Sequence, residues 1–317
     1  MRKIIRGLCA LNLVALSVVV GCGSGGGSSR GASTVAPSTS STPAATTTST
    51  TTAVTTSATT GPVGTSGQLR LLSYNVAGLP QFLSGSSPQQ NSSQISLKLN
   101  TYDLVLVQED FWYHASIAGG TTHPFLSAAQ TNYPTLVNDG LNRFSQSPFL
   151  LHQRFGWNDR YGVINSSNDA LSNKGFSVAV HELAPGVEVH VWNHHADAGS
   201  AQGDLTARAR NFEQMANAIL SFSQGQAVIV MGDTNLDDTR PIDVTILSDF
   251  MGRVGLTDTA RALGKGEFIC RVLVRSSANL TLTPVRWRHA DEFIDASGAD
   301  LSDHPALNVD IDWVHTP

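Results

Sequence analysis

The 317-residue chain carries 20 lysines and arginines against 25 aspartates and glutamates, a formal net charge of −5, and is 41% hydrophobic. Without a basic stripe, this balance argues against a non-catalytic DNA-binding module and more weakly against a nuclease. The cysteines are Cys9, Cys22 and Cys270. Only the last falls in the region expected to fold, so neither a disulfide framework nor a multi-cysteine metal cluster is available there.

In chain order, Arg2, Lys3 and Arg6 precede the apolar run LVALSVVV, which leads into VVGC at Cys22. A basic start followed by an apolar run too short to span a bilayer predicts a signal peptide over residues 1–22. A branched-apolar pair, glycine and cysteine resemble a bacterial lipobox, which implies cleavage ahead of Cys22 and a lipid on its thiol. Loss of the signal removes three positive charges, so the balance moves from 20 − 25 to 17 − 25, or −8. Residues 23–67 form a Ser/Thr/Gly-rich run with no charge between Ala32 and Gly67. Such a run cannot bury enough apolar surface to offset its ordering entropy, and it reads as a disordered linker. The folded domain is expected over residues 68–317, which is long enough for a self-sufficient core. The expected location is the cell membrane or outer membrane, lipid-anchored and extracytoplasmic. No coiled-coil heptad appears, so a monomer is expected.

Seven apolar stretches bounded by turn residues predict strands: LRLLSYNV, DLVLVQED, GFSVAVHEL, GVEVHVWNHH, AVIVMGDTN, CRVLVRSS and ALNVDIDWV. Val187, Val189 and Val191 alternate, as in a strand with one covered face. DLVLV and AVIVM are continuous, as in strands buried on both faces. Between strands, Leu205, Ala209, Phe212, Met215 or Ala216, and Ile219 recur every three to four residues and predict a helix, with Asp204 as its N-cap. Arg208 and Arg210 are expected on its solvent face. A weaker helical pattern covers QISLKLN. Strands with interspersed helices predict a mixed α/β domain with at least one large sheet.

Several of these strands end in the same chemistry. Asn75 closes one; Gln108, Glu109 and Asp110 close a second; Asn193, His194, His195 and Asp197 a third; Asp233 and Asn235 a fourth. Asp303 and His304 stand just before a fifth. Any one of these reads as a capped turn. Together they supply oxygen ligands for a hard divalent ion such as Mg²⁺ and imidazoles that exchange protons near neutral pH. An ion that neutralises a phosphoryl oxygen, beside such groups, describes hydrolysis of a phosphate ester.

The ordered motifs SYNVAGLP, YDLVLVQEDFWYH, SNKGFSVA, VWNHHADAG, VIVMGDTN and LSDHPAL resemble the endonuclease/exonuclease/phosphatase superfamily, spanning Leu71 to Val309. That superfamily includes pancreatic-type DNase, abasic-site endonucleases, inositol phosphatases and neutral sphingomyelinases. The resemblance implies a four-layer α/β/β/α sandwich, with two mainly antiparallel sheets face to face and helices outside. It places Asn75, Glu109 and Asp303 at the site of a Mg²⁺ ion, with Mn²⁺ as a substitute. Asp233 would orient or activate the attacking water, Asn235 bind the phosphate, His195 contact the phosphoryl group, and His304 act as the second catalytic histidine. Asn193, His195 and Asp197 fit an Asn-x-His-x-Asp pattern, which leaves His194 on the other face in a structural role. Lys174 could hold a phosphate oxygen, and Asp197 is a further substrate-binding expectation. One departure stands out. Relatives carry an aspartate that orients the last histidine where this chain has Cys270, a poor acceptor, with Glu267 or Asp291 as substitutes.

The aromatic run Phe111 to His114 and the loop Arg154 to Gly162 read either as packed loops or as substrate platforms. Motifs of serine hydrolases, zinc proteases and nucleotide-cofactor enzymes are missing. The expected activity is Mg²⁺-dependent hydrolysis of phosphodiesters outside the cytoplasm, with a phospholipid or sphingomyelin-type substrate. The alternatives are a secreted nuclease on DNA or RNA and a catalytically weakened surface binding protein.

Overall fold

The computed structural model describes residues 64–84, 86–162, 171–266 and 268–317. The expected signal peptide, Cys22 and nearly all of the expected linker lie outside them, as does Glu267. The first strand, β1 (Thr65–Asn75), starts ahead of the expected boundary at Gln68. Thr65, Ser66 and Gly67 pair with His315, Val314 and Trp313. Backbone pairing of this kind leaves no side-chain pattern to read.

All seven predicted strands are present. They are β1, β2 (Leu104–Gln108), β6 (Gly175–Ala184), β7 (Val187–His195), β8 (Val228–Asp233), β10 (Cys270–Arg275) and β12 (Leu307–His315). The others are β3 (Phe125–Leu126), β4 (Asn142–Ser145), β5 (Phe149–Gly156), β9 (Thr257–Asp258) and β11 (Leu280–His289). They form two six-stranded sheets, ordered β11-β12-β1-β2-β4-β3 and β5-β6-β7-β8-β10-β9. Every neighbouring pair is antiparallel except β1–β2 in the first sheet and β7–β8 in the second.

Side-chain alternation builds the layers. Leu69, Leu71, Leu104, Leu106 and Val309 of the first sheet pack between the sheets against Val187, Val189, Val191, Ile229, Met231 and Val272 of the second. The opposite faces carry their own cores. Leu72, Tyr74, Val105 and Val107 are covered by Ile95 and Leu99 of α1 (Pro88–Leu99). Val178, Trp192, Val228 and Val230 are covered by Phe212, Met215 and Ile219 of α3 (Gln202–Phe222) and by Ile246, Leu247 and Phe250 of α4 (Pro241–Val254). Short helices α2 (His114–Ala118) and α5 (Thr259–Ala262) complete the set. This is the expected four-layer α/β/β/α sandwich. β2 and β8, read as continuous apolar runs, are buried on both faces because sheet and helices cover them.

Two local expectations are corrected, and one helix had none. Asp204 is not the N-cap of α3 but its third residue, and its carboxylate accepts from the backbone N–H of Ala201 at 2.8 Å. Arg208 does not face solvent. It is fully buried, because Asp243 at the start of α4 neutralises it and the carbonyls of Asp197 and Gly199 accept from its guanidinium. Helix α4 was not anticipated, although Pro241 opens it and Gly255, at φ +77°, follows its end. Its stripe is disguised because buried Asp243 occupies an apolar position.

Candidate active site

The two parallel pairs decide where the polar residues go. Asn75 lies level with Gln108 at the ends of β1 and β2, and His195 with Asp233 at the ends of β7 and β8. Both pairs finish at the same rim of the sandwich. Asn75 Nδ2 donates to Glu109 Oε1 at 3.0 Å and to Asp233 Oδ2 at 3.2 Å, joining the two sheets across that rim. His195 Nε2 stands 3.7 Å from Asp233 Oδ2 and 3.9 Å from Glu109 Oε1. His304 Nδ1 is 3.5 Å from Asp233 Oδ2. The residues from four strand ends and one loop are therefore brought together as the motif order implied.

Backbone geometry aims them. Ala77, Glu109 and Asn235 all have positive φ, at 48°, 56° and 51°, just past the ends of β1, β2 and β8. Such conformations cost free energy for residues with a Cβ and persist where the surroundings enforce them. Around Glu109 the enforcement is visible. Its carbonyl accepts from Gly78 N–H at 2.9 Å, and Asp110 N–H donates to Gly140 at 3.1 Å. Gly140, itself at φ +65°, lies so close that a Cβ there would stand 2.9 Å from the backbone of Glu109. Ser302, not anticipated from sequence, ties the His304 loop to β1. Its hydroxyl donates to Asn75 O at 2.7 Å and accepts from His304 N–H at 3.2 Å. An isolated serine beside the Asp-His pair offers no distinguishing pattern in a sequence.

The electrostatics are unbalanced. Burial pushes the Glu109 carboxyl up and Asp303 adds to the push, outweighing Lys174, His304 and the Asn75 amide. Burial also pushes Asp233 up, yet His304, His195, the Asn235 N–H and the Asn75 amide together hold it below the ordinary carboxylate range. Burial and Lys174 hold His195 well below the usual imidazole range, so it is neutral. Its Nδ1 is buried without a hydrogen-bond partner and its Nε2 is too far from either carboxylate to bond. A buried imidazole left in this way is expensive unless another group completes it. Glu109 is half-buried and shares the Asn75 amide with Asp233, which places two carboxylates side by side at the rim. A hard divalent ion fits this donor set.

Individual residues refine the expectations. As placed, Asn75 is a donor to both carboxylates, while its Oδ1 accepts from Ala77 N–H at 3.1 Å, so it spaces Glu109 from Asp233. Asp303 is exposed, next to Ser302 Oγ at 3.4 Å, and close enough to Glu109 to raise it. Asn235 donates its backbone N–H to Asp233 Oδ1 at 3.0 Å and its amide to Ala196 O at 3.0 Å. Lys174 is buried, and its charge is felt by both Glu109 and His195. The Asp197 carboxylate accepts from Tyr161 N–H at 2.9 Å, which fastens the neighbouring loop. His194 is buried on the helix side, bonded to Met231 O and packed edge-on against Phe212, as its structural reading required.

Cys270 pairs with Asp233 across β8 and β10, and its Sγ lies 3.9 Å from His304 Nδ1. Burial and the Asp233 charge push its thiol well above the ordinary value, so it is uncharged. The carboxylate that meets His304 Nδ1 is Asp233; Asp291 is exposed. In the aromatic run, Phe111 is buried, but Trp112 is 54% exposed and meets Phe82, 75% exposed, edge-to-face at 5.8 Å. Of the expected Arg154–Gly162 loop, Arg154 to Gly156 instead end β5, with Arg154 bonded to Asp139; just past it, Trp157 is buried and donates to His195 O at 2.7 Å. That part of the loop is a support for the rim.

Solved structures share this architecture. Beta toxin of Staphylococcus aureus matches with a TM-score of 0.59 and 17% identity, over 76% of this chain and 99% of that one. Sphingomyelinase C of Streptomyces griseocarneus matches with a TM-score of 0.57 and 20% identity, over 77% and 99%. D. rerio TDP2 complexed with a single-strand DNA product matches with a TM-score of 0.58 and 16% identity, over 77% and 98%. These likenesses show the fold, a DNase I-like sandwich, which is the one expected from the order of the motifs. No protein-family model matches the sequence. At the level of particular proteins, it is 31% identical over 275 residues to the sphingomyelinases of Mycobacterium tuberculosis (strain H37Rv) and Mycobacterium bovis. The match covers 78% of this chain and 54% of those proteins, so the chain spans about half the length of the curated relatives it matches.

Proposed function

We propose that the chain is a Mg²⁺-dependent phosphodiesterase acting outside the cytoplasm on a lipid phosphodiester of the sphingomyelin type, tethered to a membrane through lipidated Cys22. The observation that carries the reading is Asp233. One buried carboxylate oxygen lies 3.2–3.7 Å from Asn75, His304 and His195, three groups contributed by distant parts of the chain.

In this reading Asp233, held ionised, accepts the proton of the attacking water as its oxygen bonds to phosphorus. His304, half-exposed at the rim, meets the phosphoryl group or the leaving oxygen as the ester P–O bond breaks. His195, buried and neutral, offers a ring N–H to a phosphoryl oxygen from a site that needs no reorganisation. Lys174 adds positive charge, and Asn75 keeps the two carboxylates at their spacing. Mg²⁺, or Mn²⁺ in its place, held by Glu109 with Asp303 beside it, would neutralise charge that grows on the phosphoryl oxygens.

Two features favour a lipid over a nucleic acid. The chain is acidic rather than basic, and the exposed Phe82–Trp112 pair lies on the segments that follow β1 and β2, which carry Asn75 and Glu109, and offers an apolar surface for a lipid. The names of the mycobacterial relatives point the same way. The test is turnover by the full-length chain of sphingomyelin vesicles, single-stranded DNA and a generic phosphodiester, with Mg²⁺ or EDTA. Metal-dependent release of the headgroup from vesicles is expected. Preference for DNA would make it a nuclease, and vesicle binding without turnover a surface binding protein. Turnover that ignores EDTA and survives both Glu109→Gln and His304→Ala would overturn the assignment.

A further inference from the structure

The departure at Cys270 changes which metals this rim can hold. We propose that Asp233, Cys270 and His304 form a second, softer metal site, selective for Zn²⁺ or a similarly thiophilic ion, and that filling it switches the active site off. One ligand atom from each residue lies within 4.8 Å of the other two. His304 Nδ1 is 3.5 Å from Asp233 Oδ2 and 3.9 Å from Cys270 Sγ. In a tetrahedral zinc site with bonds of about 2.0–2.3 Å, neighbouring ligand atoms stand roughly 3.3–3.7 Å apart. The two separations to His304 are therefore close to coordinating distance and the third, between Asp233 and Cys270, is within 4.8 Å, so rotation of the Cys270 or Asp233 side chain together with an inward shift of the half-exposed His304 closes the triangle.

The donor chemistry separates this site from the one at Glu109. A thiolate, an imidazole nitrogen and a carboxylate oxygen suit zinc, whereas magnesium takes oxygen ligands and rejects sulfur. On binding, the Cys270 S–H bond breaks, its proton leaves to solvent, and the sulfur electron pair forms the metal–sulfur bond. The thiolate and the Asp233 carboxylate then balance the two positive charges of the ion, with neutral His304 as third ligand and one position open. An aspartate in place of Cys270 would present only a hard oxygen, so the softness comes from this residue. The inhibitory half of the proposal rests on the proposed roles of Asp233 and His304, since an ion there occupies both; the binding half does not.

Co²⁺ serves as the probe for the full-length chain, because a cysteine–cobalt bond produces a near-ultraviolet charge-transfer band that needs no turnover. The parent should develop the band, and Zn²⁺ should displace it. Cys270→Ser should abolish it, while a Cys9→Ser/Cys22→Ser variant keeps it. His304→Ala should weaken Co²⁺ affinity about tenfold or more, as loss of a ligand does. Where Cys270→Ser fails to give the native circular dichroism spectrum, Cys270→Ala replaces it, and His304→Ala provides an independent check. The Zn²⁺ concentration that halves phosphodiester turnover should rise at least about tenfold in the Cys270 variant. A band that is missing, or that persists without Cys270, overturns the site. A band that depends on Cys270, with unchanged Zn²⁺ sensitivity, overturns the inhibitory role. A chain without phosphodiesterase activity that still shows the band contradicts the proposed function and leaves the metal site standing.

Discussion

Two clusters of buried charge lie near one another in this protein, and they are built on opposite principles. Behind the rim, Arg208 and Asp243 are both fully buried. Asp243 accepts from Arg208, from Arg240 and from the backbone of Asp237, while Arg208 also donates to the carbonyls of Asp197 and Gly199. At the rim itself, Glu109 is driven toward protonation, His195 has a bare ring nitrogen, and His304 reaches Asp233 only at 3.5 Å. The first cluster is complete and fastens the loop after β7 to α3 and α4. The second is incomplete in a way that a substrate and an ion would finish. Burial of charge is therefore not what marks the functional cluster; unmet hydrogen-bonding and charge capacity is.

That contrast can be broken by substitution. Asp233→Asn or His304→Ala should lower phosphodiester turnover by about 10²–10⁴, while the urea midpoint stays near the parent's or rises as buried charge is relieved. Equal losses of stability and turnover would erase the distinction. Arg208→Ala should do the reverse. Leaving Asp243 buried and unpaired costs about 3–5 kcal/mol, read from denaturant unfolding, whereas the folded fraction should turn over at a rate within about tenfold of the parent's.

Saturating Mg²⁺ should sharpen the contrast more gently. An ion that binds only the native rim adds about 2.7 kcal/mol at a hundredfold excess over its dissociation constant. The rise in thermal midpoint should vanish in Glu109→Gln and persist in Arg208→Ala. A rise unaffected by Glu109→Gln would move the ion elsewhere.

The smallest effect, taken per histidine, concerns pH. His194, lowered to about 4, and His181, lowered well below the usual imidazole value, are buried and neutral for reasons of burial. Their folded pKa values lie below the unfolded value of about 6.5, so the unfolded chain binds the extra protons. Stability is then intact above about pH 6.5 and falls as pH drops toward their folded values, by up to about 1.4 kcal/mol per pH unit for each histidine. Denaturant titrations at pH 7.5 and 5.0 would show it, and His181→Gln should flatten the slope. An unchanged slope in His181→Gln would refute the assignment of His181 as buried and neutral.

Much of the fold was legible because apolar alternation reports directly on layers. Leu71 and Leu72 had to face opposite cores once a strand was assumed, and seven of the strands were read in this way. The short strands β3 and β9 span two residues each and carry no period to detect. Arg208 was misread for a related reason. Periodicity assigns a charged residue to the solvent face by default, and its counter-ion Asp243 lies 35 positions away. Among the site residues, Glu109, His195, Asp233 and His304 were visible as polar ends on apolar runs. Ser302 and Trp157 were not visible as supports, because each acts through a backbone carbonyl on a different element.

The linear chain alone determined the kinds of element, the apolar faces that had to be buried, and the stock of oxygen and imidazole groups set at strand ends. Only the tertiary structure decided that those ends share one rim, because the two parallel pairs must run side by side, at the centres of facing sheets, before Asn75 can touch Asp233. It also decided that the rim is short of partners. Whether a buried group is satisfied depends on atoms brought from elsewhere in the chain, and no local pattern encodes that. Cys270 shows both halves of the division: its identity is written in the sequence, and its chemistry comes from the imidazole and carboxylate that folding sets beside it.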